Sequence, residues 1–321
     1  MGIGFATTQR KGCAMKRTSA LRQLLRRDDI AVLMEAHNGL TAKLVEEAGF
    51  KAVWASGLAI SASLGVRDSN EASWTQTVEI AEFMADATEL PILFDGDTGH
   101  GNFNNARRLV RKLEQRGIAG ICIEDKIFPK ANSFVTSKAH GLEGIDEFCG
   151  KIRAAKDHQL DPDFVVVART EAFIEAQGLQ EALDRASAYA EAGADAVLVH
   201  SKRADAEEVT AFAQQWSGTI PIVVVPTTYS SVPLASLAAA GINNFIFANH
   251  SIRTVVSAVQ QILRELSRTS RLAAVENRMA PLEELFRLQD VPELQEAERR
   301  YFAPALSGEI RSAPLRVNGA S

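Results

Sequence analysis

Short apolar runs rich in β-branched residues alternate along the chain with stretches whose apolar positions recur every three to four residues. The runs are "IAVLMEA" (30–36), "AVWAS" (52–56), "PILFDGD" (91–97), "GICIED" (120–125), "FVVVART" (164–170), "AVLVHS" (196–201), "PIVVVP" (221–226) and "NFIFAN" (244–249). Between them lie segments with helical periodicity, such as "LTAKLVEEAG", "NARRLVRKLEQRG", "QEALDRASAYAEAG" and "PLASLAAAG", several ending in glycine just before the next strand. Near-continuous apolar strands separated by amphipathic helices predict a parallel sheet covered by helices. Eight such units predict an α/β fold that closes into a (β/α)8 TIM-type barrel. An open dinucleotide-binding sheet would carry a GxGxxG turn after the first strand, and none stands there.

Most runs finish in polar residues: Glu35 and His37, Ser56, Asp95 and Asp97, Glu124 and Asp125, Arg169 and Glu171, His200 and Ser201, Asn249 and His250. In a barrel these ends meet at one face, where the βα loops build the site. Solvent accounts for any one polar strand end, but not for carboxylates at three ends with Arg and His at two others. Asp95 and Asp97 are two apart, a spacing that places both on one face of a strand. With Glu124 and Asp68 they form an oxygen-only, negatively charged set. Such hard ligands favour Mg2+ or Mn2+, which keep several waters and take few direct carboxylates. Left without a cation, these like charges would be held together at a cost in free energy. Arg169 and His200 supply donors on the opposite arc, and "WASGL" offers a turn at Gly57 whose backbone N–H groups can hold an anion. The implied ligand is a small di- or trianion bearing a carboxylate. His37 and His250 read as ordinary structural histidines.

Two connections are long: "GLAISASLGVRDSNEASW" after the second strand and "KIFPKANSFVTSKAHG" after the fourth. Loops of this length are commonly lids or binding loops, so residues 126–142 are expected to gate the site and to lower Lys130 and Asn132 into it. Past residue 250, "IRTVVSAVQQILREL" serves as the eighth helix, and "APLEELFRLQ" and "VPELQEAERRYF" predict two further amphipathic helices with no partner for their apolar faces. The expected organisation is an N-terminal arm (1–19), the catalytic barrel (20–268), helices that pack on a partner subunit (269–304) and a loose tail (305–321).

Of the 321 residues 46% are hydrophobic and 23% charged, which suffices for a large core. A net charge of −5 without a basic stripe argues against nucleic acid. Three cysteines (Cys13, Cys122, Cys149) without a CxxC pair fit a reducing compartment and neither disulfides nor zinc. The basic N-terminus lacks an apolar core for a signal peptide and does not fit the myristoylation pattern, and no apolar run is long enough to span a membrane. A cytoplasmic small-molecule enzyme is the expectation.

"EDKIFPKANS" (124–133) resembles the EDKxxPKxNS signature of the phosphoenolpyruvate mutase family, in the isocitrate lyase superfamily. The similarity extends through "EAHNGLTA", "GLAISASLGVRDSNEASW", "GNFNNARRLVRKLE", "DEFCGKI", "ARTEAFI", "VHSK" and "LFRLQ", over roughly residues 18–302. What the resemblance implies is a Mg2+-dependent barrel, usually a tetramer whose paired subunits exchange C-terminal helices. The implied reaction moves the phosphoryl group of phosphoenolpyruvate from oxygen to C3, giving phosphonopyruvate, with the equilibrium on the phosphoenolpyruvate side. By the same resemblance Asp95 ligates Mg2+ while Asp68, Asp97 and Glu124 hold its waters. Ser56, Gly57 and Leu58 hold the substrate carboxylate beside Trp54, Arg169, His200 and Ser201 bind the phosphoryl group or enolpyruvate, and Lys130, Asn132 and Ser133 come from the gating loop.

The chain departs from that pattern at Gly96, where alanine is common, at His100, where tyrosine is common, and at Thr228, where lysine is often found. Phosphonopyruvate hydrolases resemble the same pattern with threonine at position 132, so Asn132 favours the mutase. Carbon–carbon lyases of the superfamily use a cysteine within a "KKCGH" run on this loop, and no cysteine stands there. A binding-only relative is expected to have lost metal-site carboxylates, and all are present.

Overall fold

The structure, a computed structural model of the chain, describes residues 15–134 and 141–302. Cys13, most of the expected arm and tail, and the stretch 135–140 of the gating loop lie outside the described residues. Eight parallel strands, β1 (Ala31–Ala36), β2 (Ala52–Ala55), β3 (Ile92–Asp95), β4 (Gly120–Glu124), β5 (Val165–Thr170), β6 (Ala196–Val199), β7 (Ile222–Val224) and β8 (Asn244–Phe247), close into a barrel in sequential order. β8 pairs back onto β1, with Leu33 beside Ile246. The fold is therefore the (β/α)8 barrel that the alternation predicts.

Strand alternation divides the core. Inward-facing Leu33, Trp54, Leu93, Cys122, Val167, Leu198, Val223 and Ile246 fill the barrel, and Leu21 and Leu25 of the helix Arg17–Leu25 join this interior cluster. The alternate residues, including Val53, Phe94, Ile121, Val166 and Val197, face the surrounding helices. The helix Phe103–Glu114 shows how each helix docks: Ala106, Leu109, Val110 and Leu113 lie on one buried stripe while Arg and Lys cover the other side. Each such leucine contributes roughly 1.5–3 kcal/mol of burial. The helix starts at Asn102, whose side-chain oxygen accepts the Asn104 N–H at 2.9 Å while Asn105 reaches back to the Asn102 N–H at 3.2 Å.

Two readings of the sequence need correction here. β3 stops at Asp95, and Asp97 lies beyond it in a turn with φ of 50°, so Asp95 and Asp97 do not leave one face of a strand. Their proximity comes from the turn instead. The long connection after β2 is also not irregular throughout, because Ser56 caps a short helix, Gly57–Ser63, through its Oγ and the Ala59 N–H at 3.3 Å.

The chain divides into two compact units after Val256. The second contains the end of the helix His250–Thr269 and the helices Leu282–Leu288 and Val291–Tyr301, neither of which has a buried residue. Val259, Leu263, Leu282, Phe286 and Leu294 stand exposed on it. No described helix is long and apolar enough to cross a membrane.

Candidate active site

Continuing the inward alternation by two residues beyond the apolar layer leads from Leu93 to Asp95, from Cys122 to Glu124, from Val167 to Arg169 and from Leu198 to His200. These four side chains line a single cavity at the C-terminal mouth of the barrel together with Trp54, Ser56 and Leu58 from β2 and its loop. Asp68 enters from the second loop, and Lys130, Asn132 and Ser133 from the segment after β4. That segment lies closed over the mouth and leaves about 50 Å³ within.

One arc of the cavity is acidic. The Lys130 ammonium is 2.9 Å from Asp68 Oδ1 and is also paired with Asp97 Oδ1. Asn132 Nδ2 donates to Asp68 Oδ2 at 2.6 Å. Burial pushes the carboxyls of Asp95 and Asp97 above the usual range against the pull of Lys130. Burial acts likewise on Asp68, but Lys130 and Asn132 hold it below. Glu124 is pushed up to about 7 by burial, with Arg169 opposing and Glu171 reinforcing the shift. The arc is short of positive charge. Its turn keeps an unusual backbone, with φ of 50°, 80°, 56° and 139° at Asp97, Gly99, His100 and Gly101. His100 is buried beside it, with Nε2 3.8 Å from Asp97 Oδ2, and burial followed by Lys130 lowers its imidazole to about 4.

The other arc is built around one carboxylate. Glu171, fully buried just past β5, accepts from Arg169 Nε at 2.5 Å and lies 2.9 Å from His200 Nδ1 through Oε1. Its Oε2 accepts from Ser133 Oγ at 2.5 Å and pairs with Lys126 at 3.2 Å. Burial works against its charge, yet Arg169, His200 and Lys126 hold Glu171 well below the usual carboxylate range. Burial, then Arg169, pushes the His200 imidazole below its ordinary value, with Glu171 opposing. Its Nδ1 is also 2.8 Å from Arg169 Nη2, so it serves either that donor or Glu171, according to tautomer.

Not every expected residue reaches the cavity. Ser201 Oγ donates to Glu208 at 2.5 Å and stands outside the lining. The Gly57 N–H, expected to hold substrate, donates to Asp95 Oδ2 at 3.0 Å. Asp97 lies behind the lining, bound by Asn70. Asn70, Lys126 and Lys151 escaped the sequence reading, and Glu171 was read only as one of the polar strand ends. Asn70 donates to Asp97 Oδ2 and accepts from the Lys130 N–H, both at 2.8 Å, joining the second loop to the closing segment. Lys126 and Glu171 tie that segment to β5. Lys151, fully buried, joins the Thr98 carbonyl at 2.9 Å to Glu143 at 2.5 Å. Their only sequence signal is a charged or amide residue inside an otherwise apolar or loop context. Asp125, by contrast, is structural: it accepts from the Glu171 N–H at 2.8 Å and from the Tyr189 hydroxyl at 2.7 Å.

The acidic arc fits a divalent cation. Glu124 Oε1 is buried with no hydrogen-bond donor, and Asp97 Oδ1 has only the Lys130 ion pair. A methyl group at Gly57 would stand 3.1 Å from Asp95 Oδ2 and 3.2 Å from Asp97 Oδ1, so glycine leaves that pocket of oxygens open. Among the described residues no three acidic, imidazole or thiol groups converge as a ready-made chelate.

The sequence profile of the family described as phosphoenolpyruvate phosphomutase matches residues 21–267. The chain is 53% identical to the phosphoenolpyruvate phosphomutase of Tetrahymena pyriformis, over 89% of its own length and 95% of the relative's. Among solved structures, a phosphoenolpyruvate phosphomutase from Streptomyces platensis subsp. rosaceus superposes with a TM-score of 0.86 at 45% identity, covering 89% of this chain and 99% of that one. A phosphonopyruvate hydrolase in complex with oxalate and Mg2+ superposes at 0.84 and 39% identity, over the same shares. With its closed eight-stranded barrel, its carboxylate-lined mouth and these similarities, the chain belongs to the phosphoenolpyruvate phosphomutase family.

Proposed function

We propose that this chain interconverts phosphoenolpyruvate and 3-phosphonopyruvate, forming a carbon–phosphorus bond as an intramolecular phosphotransferase. The observation that carries the reading is the closed segment, which brings Lys130, Asn132 and Ser133 into one cavity with Asp68, Asp95, Glu124, Arg169 and His200. A phosphoryl group that leaves one atom and returns to another of the same substrate needs positioning and charge stabilisation more than proton transfer. It also needs water kept out. A buried cavity with a lid supplies both.

Mg2+, or Mn2+, would be held directly by Asp95, with Asp68, Asp97 and Glu124 on its waters. When bound it supplies fixed positive charge opposite the carboxylate and enolate oxygens of the substrate. Ser56 and Leu58, at the start of the helix Gly57–Ser63, would hold the substrate carboxylate beside Trp54. Arg169 and His200 would bind the migrating phosphoryl oxygens with Asn132, and Ser133 would keep the lid seated. Lys130 occupies the acidic arc here, and its ammonium stands where part of a cation's charge would go. On substrate entry it would turn to phosphoryl oxygens.

The exposed apolar faces of the second unit support a homo-oligomer, a tetramer in our reading, in which those helices dock on a partner copy. The free, buried thiols of Cys122 and Cys149 support a reducing, cytoplasmic setting. Phosphorus-31 NMR of the protein with phosphonopyruvate and Mg2+ tests the reading: phosphoenolpyruvate should accumulate. Inorganic phosphate and pyruvate alone would make the protein a hydrolase, and no reaction by metal-loaded, folded protein would refute both activities.

A further inference from the structure

We infer that Glu171, together with Lys126, is the latch that seats residues 126–134 over the cavity, and that this latch sets how much of the phosphoryl group is lost to water. The inference rests on the proposed mutase reading only for its second half. Glu171 divides its two oxygens between two tasks: Oε1 faces Arg169 and His200, on the floor of the cavity, and Oε2 faces Ser133 and Lys126, in the closing segment. Lys126 begins that segment and is 2% exposed. Its ammonium also donates to the Ala131 carbonyl at 3.1 Å and to Ser133 Oγ at 3.0 Å, folding the segment back onto its own first residue. Arg169 Nη2 reaches the same hydroxyl at 3.2 Å. Behind the carboxylate, the Glu171 N–H is fixed on Asp125, which Tyr189 and Arg185 hold in turn. The backbone that carries the carboxylate is therefore anchored to the barrel rather than to the segment.

The sharing has a direction. A carboxylate engaged by four donor groups divides its charge among them. An anionic substrate draws Arg169 and His200 towards itself, which leaves Glu171 to Ser133 and Lys126. Occupancy of the cavity then tightens the bonds that close it. Loss of Glu171 or Lys126 leaves the segment anchored mainly through Lys130 and Asn132, with the far side held by fewer bonds at Ser133. Water that enters attacks phosphorus: its oxygen forms the new O–P bond, the bond from phosphorus to the enolpyruvate carbon or oxygen breaks with its electron pair, and a proton is taken up at C3 to give pyruvate and inorganic phosphate.

Two measurements on the Mg2+-loaded full-length protein test this for Glu171→Gln, Lys126→Met and Lys126→Arg. Hydrogen–deuterium exchange reads the latch itself: in the first two variants amides of 126–134 should exchange at least about tenfold faster than in the parent, while the barrel strands exchange as before. Unchanged protection in both overturns the latch, whatever reaction the protein catalyses. Phosphorus-31 NMR reads its consequence: the share of phosphonopyruvate turnover released as phosphate should rise about tenfold in both variants and fall back in Lys126→Arg. A parallel fall of both products at a fixed ratio would reduce the pair to structural support and overturn the inference. If Glu171→Gln does not fold, the two Lys126 variants decide the same question. A parent protein that forms no phosphoenolpyruvate refutes the proposed function and leaves the exchange result to decide the latch.

Discussion

The two arcs of the cavity are inversions of one another. On one, Asp68, Asp95 and Asp97 gather around the single ammonium of Lys130; on the other, Lys126, Arg169, His200 and Ser133 gather around the single carboxylate of Glu171. The first is left with raised carboxyls and orphaned oxygens. The second holds its carboxylate well below the usual range. The difference teaches which half of the site needs something from solution. In the proposed reading a cation completes the acidic arc, whereas the basic arc is hydrogen-bonded as folded and has donors to lend to an anion.

The largest effect should come from removing the proposed direct ligand. Asp95→Ala should lower turnover on the order of 10³-fold, the scale of losing a preorganised charge-stabilising group. Calorimetric titration should show Mg2+ binding lost as well, and a variant that keeps both would break the contrast between the arcs. Next, Asn132→Ala removes the lid's amide from Asp68 and should cost about 10²-fold in rate through misplacement alone. Its Mg2+ affinity should stay near that of the parent, so a large loss of affinity would mean that the lid helps build the acidic arc.

A smaller effect is thermal. Adding Mg2+ at about 100 times its Kd to metal-free protein should contribute about 2.7 kcal/mol and raise Tm by roughly 5–10 °C. Arg169→Lys should keep this shift while losing activity, because it touches the arc that needs no ion. Calorimetry giving equal Tm with and without Mg2+ would remove the distinction. Smallest is Gly57→Ala: its methyl crowds Asp95 and Asp97 by a few tenths of an ångström, and Mg2+ should bind about tenfold more weakly. An unchanged titration would show that the ion sits away from that cradle.

The fold was legible because eight apolar runs and their helices each announce themselves locally, through periodicities of two and about 3.6. The strands proved shorter than the runs at their C-terminal ends, as at Asp97 and Ser201, because the chain leaves the ladder there to begin its loop. Asp95, Glu124, Arg169 and His200 were legible for the same reason, each falling two residues beyond an interior position. Asn70, Lys126 and Lys151 were not, and Glu171 was read only as a polar strand end. Their partners are chosen by loops that meet only after folding: Asn70 bonds across 60 positions to Lys130, and Lys151 across 53 to Thr98. Spacing cannot announce such pairs. The Asp95–Asp97 motif misled for a related reason, since a left-handed turn rather than strand alternation brings the two together.

The seam between β1 and β8 has a consequence for synthesis. Glu35, at the end of β1, is fully buried, and its Oε2 accepts the N–H groups of Ser251 at 2.7 Å and Ile252 at 3.0 Å, which follow it by 216 and 217 positions. On a chain made from the N-terminus, at about 5–20 residues per second, those donors emerge more than ten seconds after the carboxylate. Until then Glu35 has His37, 2.8 Å away, as its near neighbour in the chain. A nascent barrel therefore carries a charged group at its open edge for most of its synthesis. That polar group opposes wrong pairing of the first strand with another chain, and the last helix supplies its hydrogen-bond donors on arrival.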